Sequence, residues 1–147
     1  MGFNDQIRDE VKTAFADCRK ADIKIVMVTG DHPLTAASVA RKIGLCTSTD
    51  PIVVEGSEVD TLSEEDLAES VLRSGIVARA TPQHKYAIVK ALQEAGEVVM
   101  VTGYGSNDAP ALKEADVGVA MGKLGSDIAK DAASMVLYIF GAKTNYI

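Results

Sequence analysis

Several absences narrow the reading before any motif is sought. No run of Lys and Arg gathers anywhere in the 147 residues, and fifteen basic side chains face twenty-one acidic ones for a formal net charge of −6. A nucleic-acid or anionic-membrane partner is therefore disfavoured. The longest apolar runs, over 25–28 and 135–140, fall far short of the roughly 18 to 20 residues that a membrane span needs. The first residues carry neither the basic start nor the apolar stretch of a secretory signal. Only two cysteines occur, Cys18 and Cys46, with no second pair to build a disulfide framework or a zinc site, so they read as reduced thiols. Repeats and low-complexity tracts are missing as well. What remains is a globular balance, 47% hydrophobic and 24% charged, which excludes a disordered tail. The expectation is one soluble, cytosolic domain over 1–147.

Short β-branched runs alternate with amphipathic stretches along the chain. Apolar spacing at Ile7, Val11, Ala14, Phe15 and Cys18 predicts a helix over 7–20, with Asp5 to cap its first turn. The run 23–28 reads as a strand buried on both faces of a parallel sheet. A helix over 33–43 follows, with Pro33 at its first position and Gly44 past its end. Strands are predicted at 52–55, 76–80, 98–101, 117–121 and 135–138, with 98–101 the most buried. Helices are predicted at 63–74, where Ser63 and Asp66 have capping spacing, and from Pro82 to Gly96, with Tyr86, Ile88, Val89 and Leu92 facing inward. A short helix at 109–114 and another capped by Ser126 complete the pattern. Alternating strands and helices imply an α/β fold, a mostly parallel sheet with helices on both faces. Ligands of such sheets sit at the carboxyl ends of the strands.

That rule selects three segments. In Thr29-Gly30-Asp31 a hydroxyl beside closely approachable backbone N–H groups suits a phosphate oxygen, although taken alone the segment favours the plainer reading, Gly30 as a turn and Asp31 as a helix cap. Lys85 stands in the first turn of a helix, where the macrodipole disfavours a cation. Such local violations gather at functional sites, and the plain alternative is a solvated lysine. The loop Thr102-Gly103-Tyr104-Gly105-Ser106-Asn107-Asp108 has two glycines for a tight backbone and adjacent amide and carboxylate groups. A turn with a capped helix accounts for the glycines but not for Asn107 beside Asp108. No Gly-Lys-Ser/Thr ending of a Walker loop occurs, and the third glycine of a dinucleotide fingerprint is missing. His32 and His84 lack metal-ligand spacing and read as surface or capping residues. Met27, Met100, Met121 and Met135 read as core fillers, and no serine has an elbow motif around it.

Taken together, Val28-Thr29-Gly30-Asp31, Thr81-Pro82-Gln83-His84-Lys85, the run Asn107-Asp108-Ala109-Pro110-Ala111-Leu112-Lys113 and Asp116-Val117-Gly118-Val119-Ala120-Met121-Gly122 resemble the phosphorylation domain of P-type ATPases. These are ATP-driven cation pumps of the haloacid dehalogenase superfamily, and the likeness runs from about Asp5 to Leu137. It implies a three-layer, Rossmann-like sheet. It implies catalytic roles for Thr29 and Lys85 on the transferred phosphoryl group, and for Asn107 and Asp108 in orienting it. Gly30, Asp31, Gly103 and Gly105 would be cofactor-binding positions, and Asp108 would serve the metal shell. The implied cofactors are Mg2+ and ATP. The implied partners are the nucleotide-binding, actuator and transmembrane domains of a pump, at the cytoplasmic face of a membrane.

Two departures from the family pattern matter. The family forms an aspartyl-phosphate on the first Asp of an Asp-Lys-Thr-Gly-Thr segment, and no Asp-Lys pair occurs here. In the family, the Asp of Thr-Gly-Asp-Gly is a magnesium ligand, and Tyr104 stands in its place. A phenol with a pKa near 10 is a poor substitute for a hard carboxylate at neutral pH. The expectation is therefore the C-terminal part of a phosphorylation domain, lacking the nucleophile strand and inactive by itself. That strand would lie between the strands ending at Thr29 and Thr102. The gap would close by their direct pairing or be filled by another chain, which includes a homo-oligomer. The alternatives are a non-catalytic module that binds phosphate or a partner protein and, behind it, a small phosphatase of the same superfamily.

Overall fold

The computed structural model describes residues 9–122 and 124–137, and the chain divides into two compact units, 1–81 and 82–147. The first unit contains α1 (Asp9–Lys20), β1 (Met27–Val28), α2 (Pro33–Lys42), β2 (Val54–Glu55), α3 (Gly56–Val59), α4 (Glu64–Ser74) and β3 (Ile76–Ala78). Its strands form a parallel sheet in the order β1-β3-β2. The central strand is the driest part of the unit, with Ile76, Val77 and Ala78 fully buried. Ala36 and Ala40 of α2 pack against it, joined by Met27, Leu45, Cys46 and Val53. The small alanines let helix and sheet approach closely. On α1, Val11, Phe15 and Cys18 form a half-buried stripe as the spacing predicts, but Ala14, expected on the same face, is exposed; Asp5 and Ile7 lie outside the described residues. Ser63 caps α4 as expected: its hydroxyl accepts from the Asp66 amide at 3.2 Å and donates to the Asp66 carboxylate at 2.7 Å.

The second unit contains α5 (Pro82–Glu94), β4 (Met100–Gly103), a 3-10 turn (Ser106–Asp108), α6 (Ala109–Glu114), β5 (Val117–Met121), α7 (Asp127–Ala132) and β6 (Met135–Leu137). Its sheet is parallel in the order β4-β5-β6. Leu112, Ala120 and Ala129 form the core between sheet and helices, with Val101, Ala132 and Ala133 against them. Gly96 follows α5 with φ at 84°, a left-handed step that a side chain would resist. The α/β class with parallel sheets and flanking helices is as expected.

Three expectations are corrected. The run 23–28 is not a doubly buried strand: only Met27 and Val28 join the ladder, at an edge, and Ile23 is 54% exposed. The most buried strand is β3, while β4 lies at an edge with Met100 64% exposed, so Met100 and Met135 are surface residues and not core fillers. On α5 it is His84 that turns inward with Ile88, Val89, Ala91 and Leu92, whereas Tyr86 points out. Two residues turn a helix by roughly 200°, so Tyr86 cannot share the face of His84 and Ile88. The one-turn helix α3 is an addition, marked by Glu58 Oε2 accepting from the Glu55 amide at 2.7 Å.

Candidate functional site

The loop after β1 is shaped by its own backbone. The Thr29 amide donates to Val77 O at 2.9 Å and the Ala80 amide to Thr29 O at 2.9 Å, so Thr29 prolongs the pairing with β3. Its hydroxyl accepts from the Asp31 amide at 3.1 Å, which folds Gly30 and Asp31 into an exposed turn. Asp31 does not cap α2. His32 does, its Nδ1 accepting from the Leu34 amide at 3.3 Å. Arg79 closes the same turn from the other side by donating its amide to Asp31 O at 2.9 Å, in a left-handed conformation with φ at 51°. Sequence reasoning missed that residue, since an arginine carries no mark of a positive φ.

In the second unit the site is built around Asp108. The 3-10 turn after β4 brings its carboxylate back under the loop. Oδ2 accepts from the amides of Tyr104 at 3.2 Å and Gly105 at 3.1 Å, and Oδ1 accepts from Lys85 Nζ at 2.7 Å. The Asp108 side chain is 12% exposed and that of Lys85 30%. Burial by itself would raise the Asp108 pKa, but the Lys85 bond, the Gly105 amide, the Lys85 charge and the Tyr104 amide together hold it below the usual carboxylate value. Gly103 is required by this packing, because a Cβ there would meet the Asp108 Cβ at 2.6 Å. The lysine that violates the dipole rule at the start of α5 thus has its reason in a carboxylate 23 positions on.

Of the predicted site residues, Lys85, Gly103, Gly105 and Asp108 come together in one cluster. Thr29, Gly30 and Asp31 form a second cluster in the first unit. Asn107 is exposed beside Asp108, and Tyr104 is 58% exposed. The Tyr104 and Gly105 amides were missed as partners of Asp108, although the three-residue step from Gly105 to Asp108 is a capping signal. His32 is a cap as expected; His84 is buried, so its surface or capping reading is corrected. The donor set does not fit magnesium. Both Asp108 oxygens are already engaged, Tyr104 offers no carboxylate, and among the described residues no group of three or more His, Cys, Asp or Glu is placed to hold a metal ion.

A family model described as haloacid dehalogenase-like hydrolase matches residues 2–116. The chain is 47% identical over 137 residues to calcium-transporting ATPase 1 of Bacillus cereus, covering 93% of this chain and 15% of that protein. It is 44% identical over 138 residues to calcium-transporting ATPase 1 of Saccharomyces cerevisiae, covering 93% of this chain and 14% of that one. For the probable cation-transporting ATPase F of Mycobacterium tuberculosis the figures are 44% over 140 residues, 93% and 16%. The motif-based resemblance to cation-transporting ATPases is upheld, and the chain spans about 15% of the length of the first relatives it matches. Among the described residues, no helix is long and apolar enough to cross a membrane.

Proposed function

Because the chain belongs to the haloacid dehalogenase-like hydrolase family, we propose that it is the C-terminal part of the phosphorylation domain of an ATP-driven cation pump. The observation that carries this reading is the Lys85–Asp108 contact at 2.7 Å. It fixes a cation at the carboxyl end of β4, where phosphoryl charge must be neutralised. On this reading Lys85 meets the transferred phosphoryl group, Asn107 and Asp108 orient it, and Thr29 supplies a hydroxyl. Gly30 presents backbone to the phosphoryl group, Asp31 helps position the nucleotide or close the domains, and Gly103 and Gly105 are cofactor-binding positions. Magnesium and ATP act in the full-length protein at the cytoplasmic face of its membrane, with the nucleotide-binding, actuator and transmembrane domains as partners. The 147-residue chain by itself has no Asp-Lys-Thr-Gly-Thr nucleophile and a tyrosine at the metal-ligand position, so it turns over neither ATP nor phosphate esters. Alone, it associates with further copies through its unpaired strand edges.

The test is a chimera. This segment replaces the matching part of the Bacillus cereus calcium-transporting ATPase, once as it stands and once with Tyr104→Asp. Calcium-dependent ATP hydrolysis is expected from the Tyr104→Asp chimera and not from the unaltered one. A Tyr104→Asp chimera that reaches the membrane in full amount yet hydrolyses no ATP rejects the pump reading. For the isolated chain, magnesium-dependent phosphatase activity above that of Lys85→Ala rejects the claim of inactivity and favours a small phosphatase.

A further inference from the structure

At the amino ends of its strands the first unit has a cleft of about 310 Å3, within the range of small-ligand sites, roughly 300 to 1,000 Å3. Two helix ends shape it. α1 stops at Lys20, where Asp22 takes a left-handed φ of 58° and the Ile23 amide donates back to Cys18 O at 2.9 Å. α4 stops at Gly75, left-handed with φ at 67°. Ile23, Lys24 and Ile25 pass along the cleft without strand pairing, because the first ladder bond runs from the Met27 amide to Gly75 O, at 2.9 Å. Each of the two helices carries an arginine in its last turn, Arg19 and Arg73, and both line the cleft beside Leu45 and Leu72. Ser74 also lines it, but its hydroxyl is taken up by the backbone, 2.8 Å from Ile52 O and from Ile76 O and accepting from the Ile76 amide at 3.1 Å.

The helix dipole favours one cation at each of these ends, but it does not account for two arginines meeting at one cleft. Arg19 is held in place there, its Nη2 donating to the carbonyls of Gly44 and Leu45 just past α2. That leaves its Nη1 and Nε hydrogens without partners among the described residues. Arg73 makes no hydrogen bond or ion pair among the described residues. Lys24 already has a partner, and Asp22 is the one carboxylate in the wall, so cations dominate this cleft in a chain of net charge −6. We propose that the cleft binds a small organic carboxylate, its charged end met by Arg73 and Arg19 and its carbon body lying on Leu45 and Leu72. A planar guanidinium fork matches a carboxylate through two parallel N–H···O bonds. Leu45 and Leu72 are only half-buried, and a carbon body there removes apolar surface from water. Charge alone contributes little at so open a surface, so the ligand needs both parts. The cleft stands at the opposite strand ends from Thr29-Gly30-Asp31, and the inference takes nothing from the pump reading.

The probe is 1-naphthoate, titrated into the 15N-labelled 147-residue chain at neutral pH, with chloride holding the ionic strength constant. The amide resonances of Ile23, Lys24, Ile25, Arg73 and Gly75 are expected to move saturably, at millimolar concentration or below. Naphthalene-1-methanol has the same body without the charge, and acetate has the charge without the body. Each should bind at least about fivefold more weakly than 1-naphthoate. Arg73→Gln should weaken 1-naphthoate binding at least about fivefold, and Arg73→Lys, which keeps the charge but loses the fork, should fall between. Lys12→Gln removes the same charge from an exposed position on α1 outside the cleft and should leave binding unchanged. All three substitutions alter exposed side chains, so each variant should keep the Tm of the parent. A parent chain that shows no saturable movement overturns the inference. So does equal affinity for naphthalene-1-methanol, which means apolar adhesion alone, or for acetate, which means a bare anion site. Full affinity in a folded Arg73→Gln, or an equal loss in Lys12→Gln, overturns it as well.

Discussion

At the scale of single residues the site depends on one missing side chain. Gly103 and Gly105 flank Tyr104 and look equivalent in sequence, but their surroundings differ. A Cβ on Gly103 would stand 2.6 Å from the Asp108 Cβ, whereas a Cβ on Gly105 would find the Asp108 carboxylate at 3.6 Å, an ordinary contact. Gly103→Ala must therefore push Asp108 aside and open the Lys85 bond. The expected cost is about 1–3 kcal/mol of stability, as for overpacking elsewhere. Gly105→Ala should fall within roughly 0.5 kcal/mol of the parent. Urea denaturation of the two variants checks the contrast, and equal losses would reject the packing argument. The positions of the site residues are legible in the sequence because motifs mark strand ends, and Lys85 stands out by breaking the dipole rule. Their partners are not legible. Only the three-residue step from Gly105 to Asp108 hints that the Gly105 amide turns toward that carboxylate, and the Tyr104 amide carries no such mark, since a backbone donor has no residue type.

At the scale of elements, Asp116 ties the second unit together at the end away from Lys85. Its Oδ2 accepts from the Val99 amide at 2.9 Å and from Gln93 Nε2 at 3.3 Å, and Gln93 also donates to Glu114 O at 3.0 Å. One exposed carboxylate thus links the end of α5, the approach to β4 and the start of β5. The Val99 amide, then Gln93, lower its pKa from the usual value despite a small opposing effect of desolvation. A carboxylate lowered on folding adds stability above its unfolded pKa, near 3.9, and loses that contribution as pH falls through the lower folded value. Asp116→Asn keeps an acceptor for the Val99 amide but removes the titration. The variant should therefore be the less stable of the two at neutral pH, lose less stability on acidification below about pH 4 and converge with the parent there. Urea midpoints at neutral and acid pH measure this, and parallel losses in both proteins would reject it. Helix positions follow from the sequence because capping chemistry is local: Ser63 with Asp66 and Pro33 behave as their spacing predicts. Strand burial does not follow. β4 and β1 carry the apolar runs of central strands, yet each is an edge strand in the sheet of its own unit, and pairing is not a local property. Tyr86 departs from expectation for a related reason, since an aromatic ring on a helix says nothing of which face it occupies until the face is counted from its neighbours.

For the molecule as a whole, the α/β class is legible from the alternation of elements, while the division into two three-stranded sheets is not. Within the second unit β4 is an edge strand of its sheet. The register places Met100, Thr102, Val119, Met135 and Leu137 on one face of the sheet β4-β5-β6. Met100 is 64% exposed, Met135 56% and Leu137 41%, and Val98, just before β4, is 85% exposed. An apolar face that runs out to an open edge invites edge-to-edge pairing, and β4 carries none of the Lys or Pro residues that usually blunt such an edge. Light scattering after size exclusion should therefore show a mass for the isolated chain that rises with concentration. Val98→Lys with Met100→Lys should hold it at the monomer, because charges at the edge oppose pairing. Both side chains are already in solvent, so stability should change by no more than roughly 0.5 kcal/mol each. A strictly monomeric parent at high concentration would sink the idea. Leu34→Lys separates edge pairing from general stickiness. Leu34 is 76% exposed but sits on α2, where the helix satisfies its own backbone. That variant should associate as the parent does. If it also turns monomeric, simple apolar contact and not strand pairing drives the association.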